Sequence, residues 1–185
     1  MKIRNGFVSN SSSSSFIVAI PKVHEYWCAG DVGKLLGHEK TKNPAQIAWH
    51  AIESYLVHQE LEKRERLENK WEFKDEAVRQ ANVAEYEEDF AEDFSDLVYD
   101  EVLSDPALDF KATQPPFDSP EYGAWRDKFE AELLRRGRLK FEEFKAKHNN
   151  HWILRLNFGD DSTVGAHMEH EDVFHALPHI RFSHH

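Results

Sequence analysis

Residues with the pattern of β-strands occur only towards the two ends of the chain. Residues 3–9 and 16–20 are rich in Phe, Val and Ile, and residues 179–183 have the composition of a last short strand. Another stretch has the period-two pattern of a strand with one buried face, with apolar residues at Trp152, Leu154, Leu156 and Phe158. Because strands must pair, the two ends have to meet, and this requirement constrains the fold most.

The middle of the chain, about residues 43–149, has helical character. Three long helices are predicted. The first and third have an N-cap residue followed by proline, at Asn43-Pro44, with Gln46 as a capping-box partner, and at Ser119-Pro120-Glu121. The second is expected to begin near Asp75. Asp105-Pro106 predicts the end of the second helix, and a loop follows over residues 107–118. Gly137 predicts a break or kink in the third helix.

Each predicted helix has an apolar stripe at spacings of three and four residues. The stripe of the first helix consists of Ile47, Ala48, Ala51, Ile52 and Tyr55. That of the second consists of Val83, Tyr86, Phe90, Phe94 and Leu97. That of the third consists of Tyr122, Trp125, Phe129, Leu133, Phe141 and Phe144. Together these patterns predict an α+β fold, in which a small antiparallel sheet from the N- and C-terminal segments packs with about three long helices. A length of 185 residues fits a single domain spanning 1–185.

Composition narrows the classes of partner. The net charge of −11 disfavours direct binding to nucleic acid or to an anionic membrane and favours a protein partner with a basic surface. No stretch is long and apolar enough for a membrane span or a signal peptide. Cys28 is the one cysteine, so no internal disulfide can form, and a reducing cytoplasm is expected. An oligomer is compatible with these numbers.

Two strings at the chain ends are distinctive. The first runs from Arg4-Asn5-Gly6-Phe7-Val8-Ser9-Asn10 through the serines to Phe16, and the second comprises residues 168–174 and Leu177-Pro178-His179-Ile180-Arg181-Phe182-Ser183-His184. Together they resemble the ends of a group of uncharacterised proteins encoded mostly by bacteriophages and mobile elements. That resemblance implies a phage origin and work in the cytoplasm of an infected bacterium, but it implies no activity.

The serine-rich segment is a candidate site for an anion or a partner. It consists of Asn10, Ser11, Ser12, Ser13, Ser14 and Ser15. Consecutive hydroxyl and backbone N–H groups can cradle a phosphate. However, the segment lacks the Lys-Ser/Thr pair of a phosphate-binding P-loop and the G-x-S-x-G motif of a serine nucleophile. A polar loop or an edge strand is the simpler interpretation.

Histidines are concentrated towards the C-terminus, where eight of the twelve follow residue 147. The candidate metal ligands there are His167, His170, Glu171 and His175, and the best geometry is the stripe His167, Glu171 and His175 on one helix face. His170 and His175 are one residue too far apart for HExxH, since positions five apart point about 140° apart on a helix. No cofactor is therefore expected, although a divalent metal remains an alternative. Satisfied or solvated histidines are the simpler interpretation.

An acidic run is the third candidate. Ten acidic residues and no Lys or Arg lie between positions 85 and 105. Like charges at i, i+4 destabilise a helix by a few tenths of a kcal/mol per pair, so helix stability alone disfavours this arrangement. A solvated outer face is the commonest explanation, and a docking face for a basic partner is the sharper one. The partner-binding residues would be Glu85, Glu88, Asp89, Glu92, Asp93 and Asp96.

No catalytic residue can be assigned from these patterns. The leading hypothesis is a phage accessory protein that binds a host or phage protein without catalysis, through the acidic helix. One alternative is a metal-dependent hydrolase or nuclease that uses the C-terminal histidines with Asp160, Asp161 or Glu171. Another alternative is a virion or assembly component. Basic clusters at residues 63–66 and 135–140 could also pair with the acidic helix, which weakens the leading hypothesis.

Overall fold

A computed structural model describes residues 13–23, 28–38, 43–69, 75–159 and 173–184. Their contacts divide the chain into unit 1, which comprises Met1–Glu72 and Asn150–His185, and unit 2, which comprises Phe73–Asn149. Helices and a small antiparallel sheet confirm the α+β class. The extent of the single domain stays a prediction.

The sheet of unit 1 joins the two ends of the chain. Its strands are β1, Ser13–Pro21; β2, His151–Gly159; and β3, His179–His184. β1 lies in the centre and pairs antiparallel with both neighbours, so that Phe16 is opposite Leu156 on one side and Arg181 on the other. The prediction of a sheet from the N- and C-terminal segments is therefore confirmed. Residues 3–9 lie outside the described part of the chain.

The central strand is buried on both faces. Phe16, Val18 and Ile20 point into the core of unit 1, where they meet β2 residues such as Leu154 and the ring of Phe174. Ile17 and Ala19 point the other way and are also fully buried. A strand that is buried on both faces has a continuous run of apolar residues, without alternating polar ones, as in residues 16–20.

Two helices complete unit 1: α1, Ala29–Leu35, and α2, Pro44–Glu68. The predicted start of α2 is confirmed, because the Asn43 side chain accepts a hydrogen bond from the backbone N–H of Ala45. The predicted apolar face is wrong, since Ile47, Ile52 and Tyr55 are 43–54% exposed. The buried positions of α2 are instead Glu53, Ser54, Val57, Leu61 and Arg64.

The regular elements that the structure describes in unit 2 are all helices. Its helices are α3, Glu76–Leu97; α4, Tyr99–Leu103; α5, Phe110–Thr113; and α6, Pro120–Lys147. The predicted helix start near Asp75 is confirmed, and the Asp75 side chain caps α3 by accepting a hydrogen bond from the Ala77 N–H. The second helix is interrupted at Val98, earlier than the predicted stop at Asp105-Pro106, and the loop predicted over 107–118 contains the short α5.

Aromatic rings hold α3 against α6. Phe90 stacks on Phe141 with centroids 4.9 Å apart, and Phe94 contacts both Phe141 and Phe144. The predicted stripe of α3 is thus confirmed at Phe90 and Phe94 but wrong at Leu97, which is 49% exposed. A second cluster joins α4 to α6 through Val102 and Phe129.

The break predicted at Gly137 is wrong, because α6 continues through this residue to Lys147. Gly137 lies where α6 comes closest to α3, and a Cβ atom there would be 2.5 Å from the carbonyl oxygen of Ala91 and 2.7 Å from the amide nitrogen of Ser95. Glycine is required at this position by the close approach of two backbones and not by a break in the helix.

Candidate functional site

The acidic residues of α3 form one exposed face. At 100° per residue, positions 85, 88, 89, 92 and 96 fall within an arc of about 100°. The side chains concerned, which we call the acidic face, are Glu85, Glu88, Asp89, Glu92 and Asp96, and all five are exposed. Phe90 and Phe94 point to the opposite side of the helix, where they are buried. The fold therefore presents these carboxylates to water.

Asp93 departs from the prediction that it contributes to this face. Its side chain is only 3% exposed, because its position on the helix lies between the acidic face and the aromatic stripe. Glu87 also lies away from the face and forms an ion pair with Lys145 of α6 at 2.6 Å. A partner could therefore reach five of the six predicted acidic residues.

The basic cluster at 135–140 contributes an ion pair to the acidic face. Arg138 lies 3.4 Å from Glu88, but both side chains are more than 60% exposed, so the pair contributes little. No cation among the described residues lies within ion-pair distance of Glu85 or Glu92.

The other arginines of that cluster have different partners. Arg135 donates two hydrogen bonds of 2.7 Å to Glu132, and with help from Arg136 this lowers the pKa of Glu132 to about 2. Arg136 also pairs with Asp105, and the hydrogen bond lowers the pKa of that carboxyl. These contacts join α6 to the end of α4. They do not involve the acidic face.

The serine segment is partly described. Ser13, Ser14 and Ser15 belong to β1, and the structure pairs their backbone with both β2 and β3. Ser15 is 5% exposed. These three residues are thus in a central strand, not in the loop or edge strand that was the simpler expectation. Asn10, Ser11 and Ser12 lie outside the described residues, and anion binding by the segment stays a prediction.

Of the predicted metal ligands, the structure describes one. His175 is exposed, beside Gly37 of unit 1. His167, His170, Glu171, Asp160 and Asp161 lie outside the described residues, so a site built from them stays a prediction.

A different group of histidines comes together in the interior of unit 1. His50 Nδ1 lies 3.2 Å from Glu53 Oε2, and His38 Nδ1 lies 3.8 Å from the same oxygen. One ligand atom from each of the three residues lies within 4.8 Å of the others. Glu53 is fully buried, and the side chains of His38 and His50 are 6% and 15% exposed. We call these residues the His–His–Glu cluster.

Two glycines allow this arrangement. Gly33 of α1 faces α2, and a Cβ atom there would lie 3.1 Å from Ser54 Oγ, so the two helices approach closely beside Glu53. Gly37 follows α1 with φ at +78°, a left-handed conformation that favours glycine, and it directs the chain into His38. His50 and Glu53 lie one helical turn apart on α2 and therefore share a face.

No family model, no curated protein and no solved structure matches this chain. Among the described helices, none combines the length and apolar character that crossing a bilayer requires.

Sequence reasoning missed the His–His–Glu cluster, and part of its signal was present. His50-Ala51-Ile52-Glu53 places an imidazole and a carboxylate three residues apart on one helix, a spacing that allows both to bind one ion. The predicted buried face of α2 contained Ile47 and Tyr55 and did not include His50 or Glu53. His38 belongs to another element, and only the packing of α1 on α2 brings it to the pair.

Proposed function

We propose that the protein acts without catalysis, by binding a basic protein partner through the acidic face of α3. The observation that carries the proposal is the exposure of five carboxylates on a single helical face. Complementary charge on a partner would relieve their mutual repulsion and steer association.

The repulsion between neighbouring carboxylates of the acidic face supports the same proposal. Glu85 and Asp89, Glu88 and Glu92, and Glu92 and Asp96 are like-charged pairs at i, i+4, which destabilise a helix by a few tenths of a kcal/mol each. Packing of Phe90 and Phe94 against α6 offsets this cost and holds the face in place without a partner. The partner would therefore meet a preformed surface. A setting in the cytoplasm of an infected bacterium, which the resemblance of the chain ends implies, belongs to this proposal.

The proposal is tested by reversing charge on the face and, separately, elsewhere. The test variant carries Glu85→Lys, Asp89→Lys and Glu92→Lys. The matched control carries Glu65→Lys, Glu142→Lys and Glu143→Lys, three exposed acids outside the face, and changes the net charge equally. Each immobilised protein is incubated with nuclease-treated bacterial lysate, and the retained proteins are quantified by mass spectrometry.

We expect the wild type and the control to retain the same basic protein, and the test variant to retain at least tenfold less of it. Retention should also fall as salt is raised, because the attraction is screened. Helical circular dichroism of both variants should match the wild type. Equal retention by test variant and wild type, or equal loss in test variant and control, would contradict the proposal.

A further inference from the structure

The His–His–Glu cluster contains a buried carboxylate, that of Glu53, whose negative charge requires compensation. An ionised carboxylate with no exposure to water is costly unless a proton, a cation or a metal ion compensates it. Two imidazole nitrogens lie beside the Oε2 atom of Glu53, at 3.2 and 3.8 Å.

The hydrogen bond of His38 fixes which nitrogen can act as a ligand. His38 Nε2 lies 3.3 Å from the carbonyl oxygen of Val173. A carbonyl oxygen only accepts, so Nε2 carries the hydrogen, and in the neutral ring Nδ1 presents a lone pair. That lone pair is on the side of Glu53. A backbone carbonyl that holds one imidazole nitrogen while the other binds metal is a common arrangement in metal sites.

The two distances to Glu53 Oε2 are compatible with a metal site. Ligand atoms at 2.0–2.2 Å from a tetrahedral zinc ion are about 3.3–3.6 Å apart, close to the 3.2 and 3.8 Å that separate the two Nδ1 atoms from Glu53 Oε2. The two rings lie face to face with centroids 3.9 Å apart and a 33° tilt, so two imidazolium charges would repel strongly. A rotation of the His50 ring, which is the more exposed of the two, would direct both lone pairs to one ion.

We propose that His38, His50 and Glu53 bind a divalent transition-metal ion, with zinc as the best match. Two nitrogen ligands and one carboxylate suit zinc and disfavour calcium and magnesium, which prefer oxygen ligands. Three protein ligands leave a fourth position for water or another small ligand. Because the ligands come from the end of α1 and from α2, the ion joins the two helices and stabilises unit 1. This inference is independent of the acidic face.

Zinc binding is measured on the full chain purified without an affinity tag, by titration in competition with a chromophoric chelator. We expect one tightly bound equivalent, and a rise in thermal stability when zinc is added to metal-free protein. His50→Ala, at the most exposed ligand, should weaken zinc binding about 100-fold or more. Loss of a residue that merely orients a ligand already weakens metal affinity typically 10–100-fold. The control is His167→Ala/His170→Ala/His175→Ala, which should keep the tight equivalent.

X-ray absorption on the zinc-loaded wild type provides a test that does not depend on a variant folding. It should show two imidazoles and one carboxylate oxygen per ion. Absence of a tight equivalent in the wild type would overturn the proposal. So would retention of that equivalent in His50→Ala together with its loss in the control, or a zinc spectrum without imidazole.

Discussion

Glu53 of unit 1 and the acidic face of unit 2 lie in opposite surroundings. In unit 1, Glu53 is fully buried beside two histidines, whereas in unit 2 the carboxylates of the acidic face are exposed on one side of α3. A buried carboxylate requires a specific cation at a fixed distance. An exposed one attracts any positive surface that fits, and salt weakens the attraction. Under the two proposals, the same chemical group would serve a small ion in one unit and a macromolecule in the other.

The units also differ in how the chain builds them. Unit 1 joins segments from both ends of the sequence, as the pairing of β1 with β2 and β3 shows. Unit 2 is one continuous stretch, and its main contact is between α3 and α6. We therefore expect the two cores to be separable energetically, and a pair of core variants tests this.

The largest effect is expected from truncating a core phenylalanine in each unit. Phe141→Ala removes a ring that stacks on Phe90, and Phe174→Ala removes one that contacts Phe16. Each should cost about 3–5 kcal/mol of unfolding free energy. Amide hydrogen exchange should show lost protection mainly in unit 2 for Phe141→Ala and mainly in unit 1 for Phe174→Ala. Equal loss in both units from either variant would show a single cooperative core.

A smaller effect is expected at two glycines of α6. Gly137→Ala places a Cβ atom against the backbone of α3 and should destabilise the protein by roughly 1–3 kcal/mol or more. Gly123→Ala is the matched control, because a Cβ atom there meets nothing within 4 Å. It should stabilise the helix by about 0.5–1 kcal/mol. Chemical denaturation measures both, and a neutral Gly137→Ala would contradict the close approach of the two helices.

The smallest effect at neutral pH is expected from Glu132→Gln in the arginine contacts of α6. The folded state lowers the pKa of Glu132 from 4.5 to about 2, so its stabilising contribution is fully present above pH 4.5 and is lost as pH falls towards 2. Glu132→Gln should therefore flatten the fall in stability within this window. Thermal melting at a series of pH values measures it, and an unchanged slope would remove Glu132 as a contributor.

Sequence patterns predicted some features of this molecule well because those features are local. The cap at Asn43, the start of α3 near Asp75 and the strand from Trp152 to Phe158 depend on a few neighbouring residues, and all three are confirmed. The acidic run at 85–96 was visible for the same reason. Its exposure followed from the helical period, except at Asp93, where the edge of the buried face could not be located.

Features that depend on tertiary packing were not predictable. The buried face of α2 contains Glu53, Ser54 and Arg64, which hydrophobic periodicity assigns to solvent. Gly137 resembles a helix breaker until α3 is placed beside it. The residues of the His–His–Glu cluster come together only when α1 packs against α2. The C-terminal histidines are close in sequence and were therefore the more conspicuous candidates for a metal site.

The proposal that a cation and a protein partner bind at separate sites is tested most directly by measuring zinc affinity and partner retention on two variants. Zinc affinity and partner retention are determined side by side for His50→Ala and for Glu85→Lys/Asp89→Lys/Glu92→Lys. We predict that the first variant loses tight zinc binding and keeps the partner, and that the second loses the partner and keeps zinc. Loss of both properties in either variant would contradict the account.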